Sequence, residues 1–193
     1  MQGLRGRRIR VHEAGKEINS GIEDFELSFV IPVFNTSAVI QHLLRSLEPF
    51  VENPNVEIIF VNDGSTDQSI DILDNWVREI GLSQAKISII SQKNQGCFAA
   101  RNRGLRLASG KFVMFVDSDD EINAGGVAKL LDLALSKNVD IARGSFMELA
   151  LDENLPTRGQ IPDSHTASFH VLDSALGLLR QAPNIWANLY SRE

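Results

Sequence analysis

Apolar residues along the chain follow two alternating rhythms. Short continuous apolar runs stop at polar or turn-forming segments: "LSFVIPVF" from Leu27, "VEIIFVN" from Val56, "KISIIS" from Lys86 and "KFVMFV" from Lys111. Such runs read as strands buried on both faces. Between them apolar residues return every three or four positions, as in Ile40, Leu43, Leu44 and Leu47, then Ile70, Leu73, Val77 and Ile80. That spacing predicts helices with one apolar stripe. Ser65 with Gln68 forms a possible capping box for the second helix, and Asp67 is expected in its first turn. The helix after the third run sets Cys97, Ala100, Gly104 and Leu107 on one face. These residues are mostly small, so that helix can lie close against a sheet, with Cys97 a buried thiol. Val127, Leu130, Leu131 and Ala134 predict a further helix, and "VDIARGSF" a further strand.

Strand and helix alternate without a hairpin signal. That order predicts an α/β fold with a mainly parallel sheet flanked by helices and right-handed crossovers. Residues 1–24 read as a flexible basic tail, 25–150 as the sheet domain, and 151–193 as a looser region. That last part opens on a loop and holds a helix around Val171–Arg180. In open parallel sheets ligands bind beyond the carboxyl ends of the strands. Here those ends are "PVFN", "NDGS", "SQKNQG" and "DSDD". All are polar, and all are expected on one edge.

Composition narrows the classes. The 193 residues are 43% hydrophobic, enough for a sizeable core, and the net charge of -6 argues against a nucleic-acid partner. The single cysteine excludes an internal disulfide framework and fits a reducing, cytoplasmic setting. No apolar run reaches the length of a membrane span, and the first residues lack the apolar segment of a leader. Arg5, Arg7, Arg8 and Arg10 in the tail read first as solvated charges, with a patch for a membrane surface or a partner as the alternative.

Acidic residues follow the fourth strand directly: Asp117, Ser118, Asp119, Asp120 and Glu121. On an extended strand Asp117 and Asp119 share a side while Ser118 points away. Two convergent carboxylates suit Mg²⁺ or Mn²⁺, which prefer oxygen ligands and complete their shell with substrate phosphates. The plainer alternative is a solvated acidic loop before the next helix. Asp63 is either a hydrogen-bond acceptor for a base or ribose, or a helix N-cap or Asx-turn. Its neighbour Gly64 allows a tight turn or close approach of a ligand. "NQGCFAARNRG" opens a helix on a glycine turn, with Arg101 placed to face a diphosphate and Arg103 an ordinary surface charge. His12, His42, His165 and His170 have no zinc-like spacing.

Taken together, "LSFVIPVFN", "VEIIFVNDGSTDQS", "KNQGCFAARNRGL", "GKFVMFVDSDD" and "IWANLYSRE" resemble the family 2 glycosyltransferases of GT-A fold, in order and spacing. The resemblance implies inverting, metal-dependent transfer of a sugar from a nucleotide-diphosphate donor, with UDP-sugar the expected donor. The acceptor would be a glycan or lipid-linked hydroxyl, as in cell-envelope polysaccharide synthesis at the inner face of the membrane. Donor binding would fall to Pro32, Val33, Phe34, Asn35, Asp63, Gly64, Asn94, Gly96, Arg101, Asp117 and Ser118. Asp117 and Asp119 would hold the metal. Asn62 stands where many members carry a first aspartate. The family's general base is expected in a Glu-Asp segment beyond Trp186–Tyr190, hence beyond Glu193, so by this reading the chain ends before its acceptor part. Two other readings remain open: a non-catalytic nucleotide-sugar-binding fragment, and a haloacid-dehalogenase-type phosphatase with Asp117 as nucleophile. The second wants Thr or Val where Asp120 stands.

Overall fold

The protein is described here by a computed structural model covering residues 10–12, 25–81, 85–144, 170–171 and 188–192. In chain order the elements are β1 (Arg10–His12), β2 (Leu27–Val33), α1 (Ile40–Val51), β3 (Val56–Asn62), α2 (Ser69–Ile80), β4 (Lys86–Ser91) and α3 (Cys97–Leu107). They continue with β5 (Phe112–Phe115), α4 (Ala124–Lys137), β6 (Ile141–Arg143), β7 (His170–Val171) and β8 (Asn188–Ser191). Among the described residues the strands form one eight-stranded sheet in the order β1-β4-β3-β2-β5-β8-β6-β7. β1 through β5 pair in parallel, as the crossover pattern predicts. β8 runs antiparallel to both β5 and β6, so the sheet is mixed at that side.

Every residue of β2 and β3 is buried, which explains why their sequences are apolar without alternation. Alternate residues nevertheless feed two different cores. Phe29 and Ile31 of β2 join Ile58 and Phe60 of β3 under the stripes of α1, α2 and α4. On the other face Val30, Ile59, Val61, Ile90 and Val113 meet Ala100 of α3. Gly104 brings that helix close: a Cβ there would lie 2.3 Å from Val30 Cγ1.

Three expectations change. Arg10–His12, assigned to the flexible tail, adds a parallel edge strand to β4, where unpaired backbone groups invite one. Asn188–Ser191, assigned to a separate C-terminal region, lies inside the sheet between β5 and β6. The capping box is not formed: α2 has Gln68 at its N-cap with no side-chain cap bond, and Ser65 Oγ accepts from Asn35 N at 3.2 Å. The helix expected around Val171–Arg180 lies outside the described residues, apart from Val171 at the end of β7.

Candidate functional site

The carboxyl ends of β2, β3, β4 and β5 converge, and their loops enclose an open cavity of about 380 Å³. It is lined by Pro32, Val33 and Phe34 from the end of β2, Asp63 after β3, Asn94 and Gly96 before α3, Cys97 and Arg101 on α3, and Asp117, Ser118 and Asp119 after β5. Of the residues expected to bind donor, the cavity gathers all but Asn35 and Gly64, together with both expected metal ligands.

Asp63 is 2% exposed, and protein groups already occupy its carboxylate. Oδ1 accepts from Gln92 Nε2 at 2.7 Å and from Gln95 N at 2.9 Å, while Oδ2 accepts from Gly96 N at 2.7 Å. Asp63 thus fixes the loop between β4 and α3 as well as facing the cavity. Neither sequence alternative anticipated this, because the partners lie 29 to 33 residues away. Gly64 serves the same junction. Its φ is +78°, and a Cβ would meet Asn94 N at 2.9 Å, so the close approach that it permits is by a neighbouring loop.

Asn35 and Asp67 lace the remaining loops. Asn35 adopts φ 52°, and its Oδ1 accepts from Thr66 N at 2.8 Å. Asp67 precedes α2 instead of sitting in its first turn. Its Oδ2 accepts from Ser37 N at 3.0 Å, and its Oδ1 from Ser69 N at 3.0 Å and Ser69 Oγ at 2.5 Å. Burial alone would raise its pKa, but the bonds from Ser69 and Ser37 outweigh that and hold it well below the ordinary carboxylate range. These bonds place the β2–α1 loop, and Phe34 with it, beside the cavity.

The acidic segment differs from the extended picture. β5 ends at Phe115, and Asp120 N donates to Asp117 O at 3.1 Å, closing a turn. Ser118, expected to point away, is buried and lines the cavity with both aspartates. Asp117 pairs with Arg101 of α3, whereas Asp119 is exposed. Asp120 is pushed up to about 6, chiefly by burial and then by the charges of Asp117 and Asp119. The segment is anchored outward as well: Ile122 N donates to Ser46 Oγ at 3.1 Å, and His42 Nδ1 lies 3.2 Å from Glu121.

Cys97 corrects another expectation. It opens α3 beyond the sheet edge, so it is exposed at the cavity and not packed beneath the helix. Burial of the thiol group, followed by nearby Asp117, Asp63 and Asp119, raises its pKa against the opposing pull of Arg101. That does not favour a thiolate nucleophile.

A mixed α/β sheet with a polar cavity beyond its strand ends has the layout in which open α/β sheets bind ligands. The chain belongs to glycosyl transferase family 2, whose family model matches residues 28–181. It is 30% identical over 174 residues to the uncharacterized glycosyltransferase YibD of Escherichia coli (strain K12), covering 87% of this chain and 49% of that one. It is 33% identical over 171 residues to the glycosyltransferase GlyA of Streptococcus pneumoniae serotype 4, covering 88% of this chain and 22% of that one. The chain therefore spans half or less of these relatives. Among solved structures it resembles S. aureus TarS 1-349 in complex with UDP-GlcNAc, with TM-score 0.55, 29% identity, and coverage of 68% of this chain and 37% of that one. The fold is GT-A. Among the described residues no helix is long and apolar enough to cross a membrane.

Proposed function

We propose that this chain holds the nucleotide-diphosphate end of a sugar donor, as the donor-binding part of a glycosyltransferase that transfers the sugar to an acceptor hydroxyl with inversion. The observation that carries the reading is the convergence of Phe34, Asp63, Arg101, Asp117 and Asp119 on one cavity. Phe34, 46% exposed, offers a ring face to a base. Asp63 Oδ2 accepts one protein donor and keeps a lone pair for one more. A single ring N–H, as on uracil, fits that vacancy better than the paired donors of guanine. The likeness to a protein solved with UDP-GlcNAc supports uridine as the base.

Asp117 and Asp119 suit a divalent cation of the Mg²⁺ or Mn²⁺ type. Among the described residues no group of three or more His, Cys, Asp or Glu could hold a metal alone. Two carboxylates fit an ion that takes further ligands from substrate phosphates. Such an ion supplies neutralisation of the charge on the departing diphosphate. The chain's own residues bind the base at Asp63, offer guanidinium donors at Arg101 and limit water access at Ser118, which is 6% exposed. A general base, the inverting outcome, a glycan or lipid-linked acceptor, and a cytoplasmic setting at the inner face of the membrane rest on the family alone. Family membership sets the phosphatase reading aside.

Calorimetry with UDP, GDP and uridine, each with Mn²⁺ and with chelator, tests the proposal. UDP should bind with Mn²⁺ and weaken at least tenfold in chelator. Equal UDP affinity in both removes the metal, and GDP binding as tightly as UDP removes the base assignment.

A further inference from the structure

Within the cavity the charges are already partly matched. Arg101 is the only side-chain cation among the described residues that line it. It reaches from α3 to Asp117 on the turn after β5, and the two side chains are 13% and 27% exposed. The pose leaves Arg101 incompletely satisfied: its Nε is buried and donates to nothing. Phe98, 78% exposed, lies with its ring centroid 5.9 Å from the guanidinium. Asp63 keeps one open acceptor site, at Oδ2, and the donor-site reading already gives it to the base.

A divalent cation and Arg101 compete for the same carboxylate. A cation that arrives alone must displace a largely buried guanidinium whose side-chain acceptor among the described residues is Asp117. A diphosphate changes this balance. Its oxygens accept from the terminal nitrogens and also from the unpartnered Nε, and they supply the cation's remaining ligands. We propose that Arg101 is a coupling residue: paired with Asp117 it holds off a lone divalent cation, and a diphosphate draws it away, so cation and nucleotide bind as one unit. The inference rests on the donor-site reading above and adds an order to it. By linkage the nucleotide must then raise cation affinity by the same factor that the cation raises nucleotide affinity. The arrangement also keeps a hard cation from occupying the site before the donor.

The test is Mn²⁺ binding to the full chain, followed by electron paramagnetic resonance without nucleotide and with saturating UDP. Wild type, Arg101→Gln and Arg103→Gln are compared. Arg103→Gln removes the same charge from the same helix without touching Asp117. The expected result is that Arg101→Gln binds Mn²⁺ alone about tenfold more tightly than wild type. The enhancement by UDP should shrink in that variant, and Arg103→Gln should match wild type. Unchanged Mn²⁺ affinity in Arg101→Gln, or an equal gain in Arg103→Gln, overturns the coupling while leaving a wild-type site that binds Mn²⁺ with UDP. Absence of Mn²⁺ binding by wild type even with UDP overturns the donor-site reading and the coupling together. The Arg101 Nε–H nuclear magnetic resonance signal of the wild-type chain gives a second readout, independent of whether the variant folds. It should move when Mg²⁺ and UDP are added together and stay in place with uridine. A signal that stays in place through saturation with Mg²⁺ and UDP overturns the proposal.

Discussion

Replacing Asp63 by asparagine separates two jobs that one carboxylate performs. The substitution is nearly isosteric, so packing is preserved and the hydrogen bonds alone change. Oδ1 serves two donors, Gln92 Nε2 at 2.7 Å and Gln95 N at 2.9 Å, and Oδ2 serves Gly96 N at 2.7 Å. The amide keeps most by turning its oxygen to the pair, which leaves its NH₂ facing the Gly96 N–H. An unmade bond at a buried donor costs about 1–3 kcal/mol, and because Gly96 is exposed the lower end applies. The two surviving bonds drop from charge-assisted to neutral, roughly halving each. A loss of about 2–4 kcal/mol results, a shift of about 1–2 M in the urea midpoint for a domain of this size. Circular dichroism during urea titration reads the stability, and calorimetry at low urea reads UDP affinity. Both should fall. An unchanged urea midpoint with lost UDP binding would show that the carboxylate faces only ligand. A lowered midpoint with unchanged UDP affinity would make Asp63 purely a loop anchor and refute its place in the base site.

Two further changes probe the frame. Gly104→Ala should destabilise by about 1–3 kcal/mol, because its Cβ would meet Val30 Cγ1 at 2.3 Å and Val61 Cγ2 at 3.3 Å; a thermal melt reads it, and an unchanged melt would place α3 farther from the sheet. Asp120 ionises in the folded chain at about 6 against an ordinary 3.8, so the folded state binds more protons between those values and stability should fall as pH rises from about 4 to 6. Without metal, Asp120→Asn should flatten that fall and stabilise the chain at pH 7 by about 1 kcal/mol, after discounting for the solvent contact of a half-exposed group. A wild-type stability curve already flat across that window would refute the shift.

The mainly parallel α/β class and the polar strand ends were legible because buried parallel strands write continuous apolar runs, and a chain crossing repeatedly over a sheet must bring their carboxyl ends together. Asp63, Arg101 and Asp117 became candidates on that ground, and Pro32 through the family resemblance. Side-chain orientation past a strand end was not legible. Treating 117–119 as extended turned Ser118 away from its neighbours, yet a turn begins once β5 stops at Phe115. Cys97 shares a helical face with Ala100 and Gly104, but at the first position of α3 that face has already passed the sheet edge. The edge strand Arg10–His12 lacks a long apolar run, and its pairing is set by what β4 leaves open. Gln92 was missed as a partner of Asp63 because a side-chain bond across 29 residues leaves no local periodicity.

One row of β3 explains how the site keeps its shape. Residues 57, 59, 61 and 63 face α3 by the strand's period of two, and they read acid, apolar, apolar, acid. Ile59 and Val61 pack under the helix. Asp63 takes backbone N–H groups from Gln95 and Gly96, just before α3 begins. Glu57, 1% exposed, takes the corresponding groups of Ser109 and Gly110, just after α3 ends, with Ser28 Oγ donating at 2.7 Å. Arg192 holds the carbonyls of that same turn, donating to Ala108 O at 2.9 Å and Gly110 O at 3.0 Å. Two carboxylates on one rigid strand therefore fix both ends of α3 along its length, while the apolar pair between them fixes its height. A helix held only by apolar contacts could slide, because dispersion contacts are non-directional and hydrogen bonds are not. Arg101 sits within this span, so its reach to Asp117 is set by bonds made far from the cavity. Glu57 is thus a positioning element for a charge that it never touches, which is why a buried acid at the opposite edge of the sheet belongs to the account of the site.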